Sequence, residues 1–144
     1  MNIRKARAED YLKLKSLNKS LLKETGEYFS DAIFQQEALF KLLVNSENQM
    51  IVVAECDDVV CGYAITVISH MPNFDTVRLD QIYVAPDFRS KGIAQSMIDF
   101  IIEHAKKERI FEISLRVNSQ NLSAINFYKK KGFKIQEHIM NMTF

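Results

Sequence analysis

Between Leu79 and Lys107 a strand, a basic glycine turn and an amphipathic helix follow one another without a break. Leu79-Asp80-Gln81-Ile82-Tyr83-Val84 is apolar and rich in β-branched and aromatic residues, which suits a strand. Gln95–Lys107 belongs to a pattern with Ile93, Met97, Ile101 and Ala105 at i+4 spacing, joined by Ile98 and Ile102, and predicts a helix with one apolar side. Arg89-Ser90-Lys91-Gly92-Ile93-Ala94 makes the turn between them. A helix start exposes unpaired N–H groups and the positive end of the helix dipole, and Gly92 lets a ligand approach the backbone. Arg89 and Lys91 add formal positive charge, so the turn points to a site for an anion, a phosphate or pyrophosphate.

Two phosphate-binding patterns are absent: there is no Gly-x-Gly-x-x-Gly, and Lys91-Gly92 reverses the Gly-Lys order of a P-loop. The spacing Arg89-x-x-Gly92-x-Ala94, after a strand ending in Val84, resembles the acyl-CoA-binding motif of the GCN5-related N-acetyltransferases. A second stretch, Asn121-x-x-Ala124-Ile125-x-Phe127-Tyr128-x-x-x-Gly132-Phe133, is similar to a later segment of that family. The two occur in the family's order and separation.

The 144 residues suit a single domain, expected over residues 1–144, with enough chain to bury a core. Hydrophobic residues at 47% and charged residues at 26% give a globular balance, and a net charge of +1 argues against a dedicated nucleic-acid binder. Lys129-Lys130-Lys131 reads as a solvated helix end beside Gly132. No apolar run reaches membrane-spanning length and the first residues lack a leader's apolar centre, so a cytoplasmic protein without a membrane partner is expected. His70, His104 and His138 are isolated, with no metal-ligand spacing, so no metal is expected. Cys56 and Cys61 flank a probable-turn dipeptide, Asp57-Asp58. A two-residue turn sets Cys56 opposite Val59 and Cys61 opposite Ala54, making the cysteines diagonal neighbours poorly placed for a disulfide.

Taken in order, the patterns predict a strand at Asn2–Arg7 and a helix from Glu9 to Lys23, with Leu12, Leu14, Leu17, Leu21 and Leu22 on its apolar side. A second helix is expected from Asp31 to Val44, capped by Ser30 or Asp31, with Phe34, Ala38 and Leu42 in line. Strands follow at Met50–Cys56, Val59–Ser69 and Thr76–Val84. After the 95–107 helix come a strand at Phe111–Val117, a helix at Leu122–Lys131, and final strands at Phe133–Ile135 and Ile139–Phe144. This alternation predicts an α/β fold: a mixed, mostly antiparallel central sheet with helices on both faces. The same order of elements characterises the resembled family, in which the two strands before and after the Gln95–Lys107 helix part near their ends to admit the acyl-CoA.

The resemblance implies that the pyrophosphate of acetyl-CoA, the cosubstrate, rests on the backbone of Arg89, Ser90, Lys91, Gly92, Ile93 and Ala94. It implies that the pantetheine arm runs beside Ile82, Tyr83 and Val84, with the Ile82 N–H holding the thioester oxygen, and that Asn121 caps its helix and contacts the arm. Tyr128 matches the family's general acid: a phenol of pKa ~10 stays protonated to supply the leaving thiolate. Asp80 is either a base for the acceptor amine or an electrostatic anchor for it. Some relatives keep a Glu on the later strand, and here that position is Arg116. Tyr28 and Phe29 fall in the connection that borders the acceptor side, and His138 is a further contact candidate.

The implied activity is acetyl transfer to a primary amine, of a small molecule or a peptide, by direct attack on the thioester. The alternative is a non-catalytic CoA-binding module acting through a protein partner, which has no use for a proton donor at Tyr128. A homodimer through the final strands is compatible with either.

Overall fold

The computed structural model describes residues 1–26 and 32–144. Five strands form one sheet in the order β1-β2-β3-β4-β5: Asn2–Lys5, Gln49–Cys56, Val59–His70, Asp75–Val84 and Ile113–Leu115. The first four pair antiparallel in succession, and β5 joins β4 in parallel. The helices are α1 (Tyr11–Thr25), α2 (Glu37–Leu43), α3 (Ile93–Lys107) and α4 (Leu122–Lys131). A mixed sheet flanked by helices is the predicted architecture.

The sheet is covered on both faces, as the near-continuous apolar runs of β2 and β3 require. On one face Tyr11, Leu14 and Leu17 of α1 and Phe40 of α2 pack against Ile51, Val53, Tyr63, Ile65 and Tyr83. On the other, Ile93, Met97, Ile101 and Ala105 of α3 cover Val52, Ala54, Ala64, Val77, Leu79 and Val84. Each fully buried large aliphatic side chain of α3 contributes about 1.5–3 kcal/mol, which fixes the helix over the middle of the sheet.

The first helix starts later than expected, after a 3₁₀ turn at Ala8–Asp10, and Leu12 points to solvent at 74% exposure. Its inward stripe is Tyr11, Leu14, Leu17 and Asn18 instead. The second helix is not continuous either. A 3₁₀ turn at Ala32–Phe34 buries Ile33 and Phe34, and α2 restarts at Glu37 with Phe40 inward and Leu42 outward. The expected cap at Ser30 or Asp31 lies outside the described residues.

The β2–β3 hairpin turns at Asp57 and Asp58, both at positive φ (51° and 62°), the signature of a two-residue type I′ turn. Ala54 pairs with Gly62 and Glu55 with Val60, so Cys61 is an extra residue on β3, a β-bulge. The bulge corrects the expected diagonal placement of the cysteines: their Sγ atoms lie 3.5 Å apart, with both thiols free.

Gly62 sits where β3 meets the end of β4. A Cβ there would stand 2.8 Å from the Tyr83 carbonyl oxygen and 3.4 Å from a Val84 methyl. Gly62→Ala therefore pushes β4 outward, and thermal or urea unfolding is expected to show a loss of ~1–3 kcal/mol. An unchanged midpoint would mean that β4 yields freely there.

The final two strands are absent. Among the described residues no strand pairs with the outer edge of β5, and Phe133–Phe144 carries no regular structure. Beyond Phe133 its apolar side chains, including Met140 (92%) and Phe144 (107%), lie in solvent. Three residues of β5 are a short template, and an extended segment without a ladder or an apolar face to cover gains nothing to offset its ordering entropy.

Candidate active site

The site begins with a break in the sheet. β5 pairs with β4 only through Val77, Arg78 and Leu79, whereas β4 continues through Asp80, Gln81, Ile82, Tyr83 and Val84. Along this continuation the edge that β5 has left is unpaired.

A bulge sets which groups face that edge. Ile65 pairs with Gln81 and Thr66 with Leu79, leaving Asp80 as the extra residue. The alternation shifts there, so Leu79 and Ile82, three positions apart, both lie on the α3 face. Beyond the bulge, the Ala85 N–H donates to the Cys61 carbonyl at 2.8 Å. By the antiparallel alternation, Tyr83 then turns its backbone to β3, and Ile82 and Val84 turn theirs to the open edge. The Val84 carbonyl there accepts from Arg89 Nε at 2.8 Å. Ile82 and Val84 thus present a strand edge able to pair with an extended ligand.

The basic turn abuts this edge. Pro86–Phe88 forms a 3₁₀ turn, Ser90 and Gly92 take positive φ (61° and 76°), and α3 starts at Ile93. Gly92 is the N-cap and supplies no side-chain cap, so the first N–H groups of α3 are left for another acceptor. A Cβ added to Gly92 would meet nothing within 4 Å, so the space over the turn is open. These donors, with the helix dipole behind them, suit a phosphate.

The two cations of the turn are partly committed. Arg89 spans Glu24 at 2.6 and 2.9 Å and lies 5.4 Å from the Tyr83 ring centroid. The Tyr83 hydroxyl also donates to Glu24, at 2.8 Å. Arg89 and then Tyr83 hydrogen-bond the Glu24 carboxyl and hold it below its ordinary range. Burial, then Glu24, pushes the Tyr83 phenol up. Lys91 donates to the Asp87 carbonyl at 3.2 Å and lies over the Phe88 ring. Arg89 is therefore a clamp between the end of α1, the end of β4 and the turn. Glu24 was not singled out from the sequence: it precedes Arg89 by 65 positions, in a segment whose only mark is the nearby Gly26.

Tyr128 joins from α4. Its ring sits between Phe127 (centroids 5.3 Å) and Phe133 (5.5 Å), and packs on the cluster that holds Ile82, Val84, Ile93 and Ala94. Burial raises its pKa above the ordinary 10.0, so the phenol carries its proton at neutral pH. Among the described residues none hydrogen-bonds its hydroxyl. Asn121 caps α4, its Oδ1 accepting from Ala124 N–H at 3.2 Å. Asn121→Ala is expected to lower stability by ~0.5–2 kcal/mol in chemical denaturation; no change would remove the cap role.

The remaining site residues lie apart. Tyr83 directs its ring to the α1 face, against Tyr63 at 6.2 Å, rather than to the open edge. Asp80 forms an ion pair with Arg78, its oxygens 2.6 and 3.2 Å from two guanidinium nitrogens. On the same side of β4, Gln81 Oε1 accepts from Asn18 Nδ2 at 3.1 Å and from the buried Tyr63 hydroxyl at 3.0 Å. Tyr28 and Phe29 lie outside the described residues, and His138 is exposed. Among the described residues no three His, Cys, Asp or Glu side chains converge as for a metal, and no helix is long and apolar enough to cross a membrane.

The "uncharacterized N-acetyltransferase MJ1207" of Methanocaldococcus jannaschii is 33% identical over 101 residues, 68% of this chain but 45% of that protein. The peptidyl-lysine N-acetyltransferase YjaB of Salmonella typhimurium is 27% identical over 136 residues, 94% of this chain and 84% of that one. Among solved structures, a predicted acetyltransferase of Clostridium acetobutylicum with acetyl-CoA shares the fold at a TM-score of 0.80 and 23% identity, covering 99% of this chain and 95% of that one. The sequence pattern of the acetyltransferase (GNAT) family matches residues 14–133. With the family pattern across most of its length, the chain belongs to the GNAT acetyltransferase family and is an acyltransferase.

Proposed function

We propose that the chain moves an acetyl group from acetyl-CoA to a primary amine, within one domain spanning residues 1–144. The observation that carries this reading is the run of β4 beyond β5, which presents Ile82 and Val84 backbone groups next to the uncapped start of α3. In this reading the N–H groups of Gly92, Ile93 and Ala94 receive the pyrophosphate, and those of Ser90 and Lys91 flank it. The extended arm pairs with the β4 edge, and Asn121 meets it from the start of α4. The Ile82 N–H donates to the thioester oxygen as negative charge grows there, a contribution commonly worth about 10²–10³ in rate.

The neutral acceptor amine attacks the thioester carbon, the C–S bond breaks, Tyr128 gives its proton to the departing sulfur, and the nitrogen sheds a proton to solvent, from which the phenol is restored. Asp80, held by Arg78, sits at the bulge on the acceptor side of the strand and draws the amine there electrostatically. With both its oxygens turned to Arg78, this anchoring role suits it better than proton abstraction. Tyr28 and Phe29 belong to the acceptor side in the same reading. The relative named for peptidyl-lysine acetylation and one named for spermidine acetylation support an amine acceptor. Cytoplasmic residence belongs to this reading as well.

The test is release of free CoA thiol from acetyl-CoA in the presence of a lysine peptide, spermidine, free amino acids and an aminoglycoside. Amine-dependent release with a matching acetylated product supports transfer. Tight binding of acetyl-CoA without release from any amine of the panel would favour the non-catalytic module.

A further inference from the structure

The β2–β3 hairpin holds the chain's two cysteines in sulfur–sulfur contact. Cys61 is 1% exposed and Cys56 partly exposed, and their Sγ atoms are 3.5 Å apart with no bond between them. A disulfide needs ~2.05 Å, so closure asks for a movement of roughly 1.5 Å shared between two side chains. The backbone favours that movement. Cys61 is the bulge residue and has no register partner on β2, so its Cβ can shift without dragging a pair on that strand. Cys56 sits at the last rung before the turn, opposite Val59, where the hairpin is free on its solvent side.

We infer that Cys56 and Cys61 are a redox-modification site, a thiol pair that a small disulfide such as oxidised glutathione converts to an intrachain disulfide. The Cys56 thiolate attacks one sulfur of the oxidant and expels a glutathione thiolate. The Cys61 thiolate then attacks Cys56 Sγ and expels the second glutathione thiolate. Two thiol protons are released and the oxidant takes up the two electrons, so the step balances. The order follows from access, because only Cys56 reaches solvent. Burial, and next the neighbouring Cys56, push the Cys61 thiol up to about 11, which keeps it unreactive toward outside reagents until Cys56 brings a sulfur to it.

The position gives closure a consequence. The Cys61 carbonyl receives the Ala85 N–H at 2.8 Å, at the point where β4 passes into the basic turn. Moving the bulge residue therefore moves the turn that presents Gly92.

The experiment uses the full chain with oxidised glutathione, followed by thiol blocking, intact mass and peptide mapping. Trypsin releases residues 42–78 as one peptide, since no Lys or Arg lies between Lys41 and Arg78. The folded wild type is expected to form no interchain disulfide, lose two hydrogens within that peptide and take up no blocking reagent. Cys61→Ser is expected to stop at a glutathione adduct on Cys56, and Cys56→Ser to keep an unmodified thiol at Cys61. A wild type that stops at the Cys56 adduct, stays fully reduced, or closes only in denaturant overturns the inference. Acetyl-CoA affinity is expected to fall several-fold in the oxidised form, and this arm alone rests on the function proposed above. Equal affinity in both redox states overturns the coupling, while the mass result judges the site by itself.

Discussion

Tyr128→Phe is expected to lower turnover by about 10²–10⁴-fold and to leave acetyl-CoA affinity within about twofold. The substitution removes only the hydroxyl. The ring contacts with Phe127 and Phe133 and the packing on the core of the α3 face persist, so the fold is preserved. In the proposed reaction, what is lost is the proton for the departing thiolate. The pH profile separates this role from a packing role. Burial holds the phenol above 10.0, so the acid is fully protonated at neutral pH and is lost as pH rises through that raised value. The wild type should show an alkaline decline in turnover above pH ~10 that the Phe variant lacks. Equal turnover in the two proteins removes Tyr128 as the acid.

Gly92→Glu is expected to weaken acetyl-CoA binding by more than about 100-fold, read by calorimetric titration. Like charges ~4 Å apart at the protein surface repel by about 4 kcal/mol, and each 1.4 kcal/mol is tenfold in affinity. The space over Gly92 is open, so the new carboxylate enters the place proposed for the pyrophosphate without meeting a neighbour. The positive φ of 76° adds about 1–2 kcal/mol of backbone strain for a side chain, so Gly92→Asn, which tolerates that conformation, serves as the control. It should bind with affinity much nearer the wild type's. Retained tight binding in a folded Glu variant would place the anion elsewhere.

The features legible in the sequence are those written in contiguous residues. The turn Arg89–Ala94, the helix behind it, the cap at Asn121 and the position of Tyr128 each depend on spacing within a dozen residues. The Asp57-Asp58 turn was legible for the same reason. The bulges at Cys61 and Asp80 were not, because a bulge is a mismatch between two strands and neither strand alone shows it. Missing the first of them misplaced the two thiols. The Glu24–Arg89–Tyr83 clamp joins positions distant in sequence and leaves no local sign. The final strands show the opposite failure. Met140, Met142 and Phe144 alternate with polar residues as a strand would, yet a local pattern does not supply the partner edge on which a strand depends.

Backbone amide chemical shifts of the isotope-labelled protein during an acetyl-CoA titration test the central claim most directly. The largest changes are expected at Ile82 and Val84 on the β4 edge and at Gly92, Ile93 and Ala94 at the start of α3, all saturating together. Saturable changes confined to other elements, or no changes at all in the folded protein, would contradict the placement of acetyl-CoA on this edge.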